Sequence, residues 1–294
     1  MKRREMLKTA ACTMAALSGV QSGWAAPPET KKRVLYFTRS VGFEHSPVHR
    51  EQGRLGHSEQ VLADLGKRVG FEVECTKDGA VFDGNLDRYD LFAFYTCGDL
   101  TQPSKDPGRP MTLAGKRRLL EVIAGGKGFV GFHSAADTFH SPGPRGEIQA
   151  DLDPYVAMLG GEFVTHGAQQ EASLILTPRF PGVSGLGCAE GLSFTDEWYA
   201  LKNFAKDLHV ILVQETRFMK GDCYRRQDFP CTWARMHGQG RVFYTSLGHR
   251  DDIWTNPFFQ TIVRGGFDWA LGNAKADIKP NVDRVAPQAN QLKS

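Results

Sequence analysis

The sequence predicts an α/β fold, a mainly parallel sheet covered by helices on both faces, and three observations carry that prediction. Short apolar runs rich in β-branched and aromatic residues, among them RVLYFTRS (33–40), YDLFAFYTCGD (89–99) and GFVGFHS (128–134), read as buried strands. Stretches with helical spacing of apolar residues separate them. Polar residues, above all histidines, fall where these strands end, and ligands collect at the carboxyl ends of strands in a parallel sheet.

Ahead of the first strand, MKRREMLKTAACTMAALSGVQSGWAAPP has a basic start, a short weakly apolar stretch, and Gly23 and Ala25 at the spacing of an export cleavage site. It is too short and too polar to span a membrane. Arg3-Arg4 followed by Leu7-Lys8 matches a twin-arginine signal, with a general secretory signal as the alternative. Residues 1–25 are therefore expected to leave, together with Cys12. The mature chain would begin near Ala26, work in the periplasm or outside the cell, and keep no integral membrane segment. The formal charge of +3 resides in that leader, where Lys2, Arg3, Arg4 and Lys8 face Glu5. A near-neutral remainder gives no electrostatic case for nucleic acid.

After a linker (26–32), RVLYFTRS is the first strand, and GFEHS follows at once, which puts His45 in the loop behind it. Val61, Leu62, Leu65 and Val69 share one face of a helix from about Ser58. FEVECTKD (71–78) and YDLFAFYTCGD form the second and third strands. MTLAGKRRLLEVIAGG (111–126) is the next helix, ended by Gly125-Gly126, and GFVGFHS is the fourth strand of the alternating series. The second half is richer in strand signals: EASLILTP (171–178), LHVILVQE (208–215), and the pair CTWARMHGQGRVFYTSLGH (231–249) hinged at Gly238 to Gly240. Asn256-Pro257 caps a last helix with Phe258, Phe259, Ile262 and Val263 facing inward. Residues 275–294 lack a periodic apolar pattern and are expected to form a loose tail, leaving one domain over 33–274.

With Cys12 removed, Cys75, Cys97, Cys188, Cys223 and Cys231 remain, an odd set at irregular spacing that is neither a disulfide framework nor a zinc-binding CxxC pattern. Cys223 and Cys231 flank YRRQDFP, so a local bridge after export is conceivable.

Among nine histidines, His45, His133, His166 and His249 stand where the fold places strand ends or glycine-rich loops. Any one of them could be a hydrogen-bonded loop residue, but four at such positions argue for a site. His209 and His237 are better explained structurally. The run Gly131-Phe132-His133-Ser134-Ala135 has the shape of a hydrolase nucleophile elbow with histidine at its centre and alanine in place of the closing glycine. Imidazole there suits proton transfer or metal binding; Ser134 is the alternative polar group.

The runs GFEHS, GFVGFHSAADTF, YVAMLGGEFVTHG, DEWYALK and TWARMHGQGRVFYTSLGHRDD together resemble the ThuA-like (trehalose-utilisation) family across most of 33–272. The resemblance implies a flavodoxin-like three-layer sandwich related to class I glutamine amidotransferase domains, with His133 replacing the glutaminase cysteine, so glutamine hydrolysis is not expected. It also implies disaccharide breakdown, often beside a dehydrogenase that oxidises sugars to 3-keto derivatives.

Within these motifs Glu197 and Asp196 could serve as acid, base or acceptor of a sugar hydroxyl, and Trp198 could stack on a sugar ring. Arg235 could orient a substrate oxygen or serve structure alone. Asp137, four residues after His133, could orient its imidazole. The leading expectation is thus an exported enzyme acting on a disaccharide or glycoside in 3-keto form, with His133, Glu197, His45, His166 and His249 as acid–base residues and Ser134, Asp137, Asp196, Trp198 and Arg235 around the carbohydrate. The alternatives are a non-catalytic sugar-binding protein, and a metal-dependent hydrolase holding a divalent ion on His45, His133, His166 and His249, although no HExxH motif supports it. Homo-oligomerisation and a sugar dehydrogenase partner remain open.

Overall fold

The structure, a computed structural model, describes residues 31–177, 179–183 and 192–293. The expected signal, the cleavage position near Ala26, and Cys188 lie outside the described residues.

The elements are β1 (Lys32–Phe37), α1 (His57–Val69), β2 (Phe71–Thr76), β3 (Leu91–Phe94), α2 (Leu113–Ala124), β4 (Gly128–Phe132), α3 (Pro154–Leu159), β5 (Glu162–His166) and β6 (Gln170–Leu176). They continue with β7 (Leu192–Asp196), β8 (Tyr199–Lys202), β9 (His209–Gln214), β10 (Phe229–His237), β11 (Gly240–Thr245), α4 (Asp251–Thr255), α5 (Pro257–Ala270) and α6 (Val282–Val285). A nine-stranded sheet runs in the order β2-β1-β3-β4-β11-β10-β9-β6-β7, and β5 pairs with β8 in a separate two-stranded sheet. From β2 through β11 the strands are parallel; from β11 onward each pairing is antiparallel. The sheet is therefore mixed, and the change of sense falls at the β10–β11 hairpin, whose tight turn can only join antiparallel neighbours.

The parallel strands are apolar on both faces because both faces are covered. Val34 and Tyr36 of β1, with Val130 and Phe132 of β4, join Leu62, Ile262, Val263 and Phe267 in one core. Leu35 and Phe37, with Phe129, join Leu119, Ile123, Tyr155 and Met158 in the other. Three layers follow from that alternation. Local signals fix the helix starts: Asn256 Oδ1 accepts the N–H groups of Phe258 and Phe259, and Thr112 Oγ1 accepts that of Gly115 at 2.8 Å.

Register positions the site. Phe37 pairs with Phe94, Phe94 with Gly131, and Phe132 with Thr245. The loops behind β1, β3, β4 and β11 therefore leave the sheet at one edge.

Two expectations are corrected. The segment after 275 is docked rather than loose: Val282, Ala286 and Ala289 are buried in the second core, and Asn281 hydrogen-bonds both the N–H and the carbonyl of Val210, at 2.6 and 3.0 Å. Its apolar residues are too sparse to show periodicity, and side-chain amides do the anchoring. Cys223 and Cys231 are free thiols rather than a bridge; Cys231 is buried within β10, with its Sγ on the Leu212 carbonyl. No helix among the described residues is long and apolar enough to cross a membrane.

Candidate histidine–carboxylate site

His133 begins the turn that follows β4, and its φ of +40° places it in the left-handed region, where a side chain other than glycine is strained. The elbow expected there is thus present. The turn is fastened by Tyr244, whose hydroxyl donates to the His133 carbonyl at 2.8 Å, and by Tyr155, whose hydroxyl donates to the Ala135 carbonyl at 3.0 Å. The imidazole is fully buried, and its Nδ1 lies 2.7 Å from the carbonyl oxygen of Ser246. A carbonyl only accepts, so Nδ1 donates to it and Nε2 is the nitrogen turned toward the rest of the site.

His133 Nε2 faces His249 Nδ1 at 3.3 Å and Glu197 Oε2 at 3.5 Å, while His249 Nδ1 lies 3.1 Å from the same oxygen. Asp196 holds both neighbours in place. Its buried carboxylate accepts the N–H of Gly248 at 2.8 Å and that of Arg250 at 3.1 Å, bracketing His249, and the N–H of Glu197 at 3.0 Å. Tyr95 and Trp254 donate to the Gly248 carbonyl at 3.0 and 2.9 Å, so the loop after β11 is tied from three sides.

His45 completes the group from the loop behind β1. Its ring centroid is 5.0 Å from that of His133 and 5.3 Å from that of His249. Its Nε2 lies 3.4 Å from the Tyr199 hydroxyl, and its Nδ1 is buried without a hydrogen-bond partner. Burial, reinforced by the neighbouring imidazoles, pushes His45 down to about 2, so it is neutral. Burial alone would raise Glu197, but its hydrogen bonds with His133 and His249 and their charges hold it well below the usual carboxylate range. Tyr199, whose ring centroid lies 4.0 Å from that of His133, is kept protonated by burial and by Asp137.

The site is therefore a carboxylate facing three imidazoles, of which His45 is held neutral, a donor set that could hold a cation. One possible ligand atom from each of His45, His133, Glu197 and His249 lies within 4.8 Å of the others. Bonds of about 2.0–2.1 Å to a tetrahedral ion set its donors about 3.3 Å apart. The separations of 3.1, 3.3 and 3.5 Å among Glu197, His249 and His133 match that edge. Imidazoles with one carboxylate suit a divalent transition ion, and the His133–Ser246 bond is the outer support such ligands usually have. The orphaned Nδ1 of His45 points the same way.

Of the residues singled out in the sequence, His45, His133, Glu197 and His249 converge, and His166 stands at the rim. His166 is largely exposed, with Nδ1 near the Gly167 carbonyl at 2.9 Å and Glu197 Oε1 at 3.3 Å. It is no part of the metal-compatible group, where Glu197 takes the place expected for it.

The expected carbohydrate contacts fare differently. Trp198 is buried, its indole N–H donating to the Gln170 carbonyl, so no sugar can stack on it. Asp196 supports backbone amides and faces no solvent. Arg235 binds the carbonyls of Ala157 and Met158 at the end of α3 and the carboxylate of Asp207, toward the far end of β11. Ser134 is fully buried, its Oγ without a partner, so no base prepares it. Asp137 does not orient His133; the Ser246 carbonyl does. Asp137 instead meets His140 Nε2 at 2.9 Å, Arg145 at 3.3 Å and Cys97 Sγ at 3.2 Å.

Tyr199 and Tyr95 were missed. Tyr199 lies in the same DEWYALK run as Glu197, so a signal existed. Tyr95 looked like any strand aromatic.

Fold and site together define an α/β sandwich with a histidine–carboxylate centre at the carboxyl edge of its parallel strands. The family model for ThuA, described as trehalose utilisation, matches residues 33–270, and the chain belongs to that family. A ThuA-like protein of Bacteroides uniformis shares the fold with a TM-score of 0.57 at 20% identity, over 84% of this chain and 95% of its own. A ThuA-like protein of Parabacteroides merdae gives 0.56 at 19% identity, over 83% and 90%. No curated protein gave a significant match.

Proposed function

We propose that this protein is an exported carbohydrate-active enzyme that acts on a disaccharide or glycoside in its 3-keto form, with a divalent metal held by His45, His133, Glu197 and His249. The observation that carries the proposal is the convergence of His133 Nε2 on His249 Nδ1 and Glu197 Oε2 at 3.3 and 3.5 Å. Separations of that size fit the donor edge of a small tetrahedral ion, and imidazoles with one carboxylate are a usual ligand set for it.

A metal there would polarise a carbonyl oxygen as a Lewis acid. A ketone at C3 acidifies the hydrogens on the neighbouring carbons, so cleavage or isomerisation needs a base beside it. His166 fits that role, since it stands at the exposed rim with Nδ1 close to Glu197. Tyr199, protonated and buried, can donate a hydrogen bond but not remove a proton. Family membership supports the carbohydrate class, and a sugar dehydrogenase would supply the ketone. Export rests on the Arg3-Arg4 leader; replacing both arginines by lysine should stop processing and export, and normal export would remove the twin-arginine route.

The deciding experiment incubates the mature protein with trehalose, simple glucosides and their 3-keto forms, with and without chelator, and follows products by mass spectrometry beside metal analysis. Turnover of a keto sugar that chelation abolishes and added metal restores is expected. Metal-independent turnover would leave His/Glu acid–base chemistry alone. Sugar binding without turnover would make the protein a binding module.

A further inference from the structure

Phe43 lies between two fixed points in the loop behind β1. Gly42 turns the chain there with a φ of +115°. On one side, the Val41 N–H donates to the Cys97 carbonyl at 2.7 Å, and Gly98 approaches so closely that a Cβ on it would stand 2.0 Å from the Val41 carbonyl oxygen. On the other, the Glu44 carboxylate accepts from the buried Lys77 ammonium at 2.7 Å and meets His49 at 2.8 Å. Lys77 is itself anchored by Asp106 at 2.8 Å.

The residue so fixed is not buried. Phe43 is 62% exposed, and its ring meets the His45 ring edge to face, centroids 4.8 Å apart. Phe218, the other strongly exposed phenylalanine among the described residues, sits beside Arg217 instead. A large apolar ring on a braced loop, uncovered by its own chain and touching a member of the site, is a preformed surface for a ligand.

We infer that Phe43 is the stacking platform for the sugar ring beside the reacting centre. A pyranose carries an apolar C–H face and a polar edge; the Phe43 ring would take the face, leaving the polar edge for the site that His45 joins, where the Tyr199 hydroxyl lies 3.4 Å from His45 Nε2. This takes over the role the sequence offered to Trp198. The inference rests on the carbohydrate reading above.

The test compares wild type with Phe43→Ala, Phe43→Leu and Phe43→Trp on 3-keto-trehalose and methyl 3-keto-glucoside, with calorimetric binding of methyl glucoside in parallel. An exposed side chain leaves the fold intact, which an unchanged thermal midpoint verifies. The alanine variant should raise KM about three- to tenfold, with a much smaller loss in kcat, as expected for one aromatic contact. Leucine should recover little and tryptophan most of it. Wild-type KM in the alanine variant overturns the inference while the enzymatic reading stands. If wild type converts no sugar but binds methyl glucoside, loss of binding in Phe43→Ala keeps the platform and removes the enzyme. Neither turnover nor binding overturns both.

Discussion

Asp196 Oδ2 accepts the backbone N–H of Gly248 at 2.8 Å, so a buried carboxylate at the end of β7 sets the position of the loop that carries His249 after β11. Its other oxygen holds Arg250 and Glu197. Asp196→Ala should therefore weaken metal binding about 10- to 100-fold, the usual effect of losing an outer support. Competition with a chromogenic chelator measures it. Metal affinity equal to wild type would show that the loop holds its shape without Asp196.

His133→Ala removes a nitrogen at the centre of the group, while Tyr244 and Tyr155 fasten the turn through its backbone carbonyls, which the substitution keeps. The variant should lose bound metal and two to four orders of magnitude in turnover, of the order of a lost positioned acid or base. Metal analysis separates the two roles: full metal content with lost turnover would make His133 a proton carrier. Wild-type turnover would deny it either role.

The parallel half of this fold was legible because its strands are apolar on both faces and polar residues gather in the loops behind them, so β1, β3 and β4 stood out. β5, β7 and β8 were not legible: EFVTH, LSFTD and YALK are short and partly polar, and such segments form strands only through the partners the fold gives them. The site was half legible. Histidine position revealed His45, His133 and His249, but burial decides the remaining roles, and a motif does not reveal whether Trp198 points in or out. Phe43 was visible in GFEHS as a residue, and only its exposure beside His45 gives it a task.

Arg235 shows the same limit from the other side. Its guanidinium caps the last carbonyls of α3 and pairs with Asp207, a favourable place for a cation. Arg235→Met should lower stability by about 1–3 kcal/mol, the cost of leaving buried acceptors unpaired. Urea unfolding checks this, while metal content and KM should not move. A rise in KM with unchanged stability would return Arg235 to the substrate.

Asn281 gives a sharper test of the docked C-terminal segment. Its amide serves both backbone groups of Val210, and α6 follows it directly. Asn281→Ala should cost about 1–3 kcal/mol in unfolding free energy and open residues 282–293 to proteolysis. Resistance to protease equal to wild type would mean that Val282, Ala286 and Ala289 hold the segment unaided.

The pair Glu162 and His140 predicts a pH window for stability. Burial alone would raise the Glu162 carboxyl, but His140, the Ser141 hydroxyl and N–H, and Asn203 together bring it down to about 2. Burial would lower His140, but its bonds to Asp137 and Glu162 raise it above its ordinary value, against Arg145; Lys202 is the further cation near Glu162. A depressed carboxyl stabilises the fold above its unfolded pKa of about 4.3 and loses that contribution as pH falls toward its folded value. A raised imidazole stabilises fully below its unfolded pKa of about 6.5 and loses that contribution as pH rises through its folded value. Both contributions are complete only between those limits. The stability lost in Glu162→Gln should therefore be greatest near pH 5.5, about 2–3 kcal/mol by linkage, and should shrink toward pH 3.5 and toward pH 8.5. Urea unfolding of both proteins at the three pH values measures the difference. A difference that stays constant, or that peaks at pH 8.5, would show that the two groups do not titrate as partners.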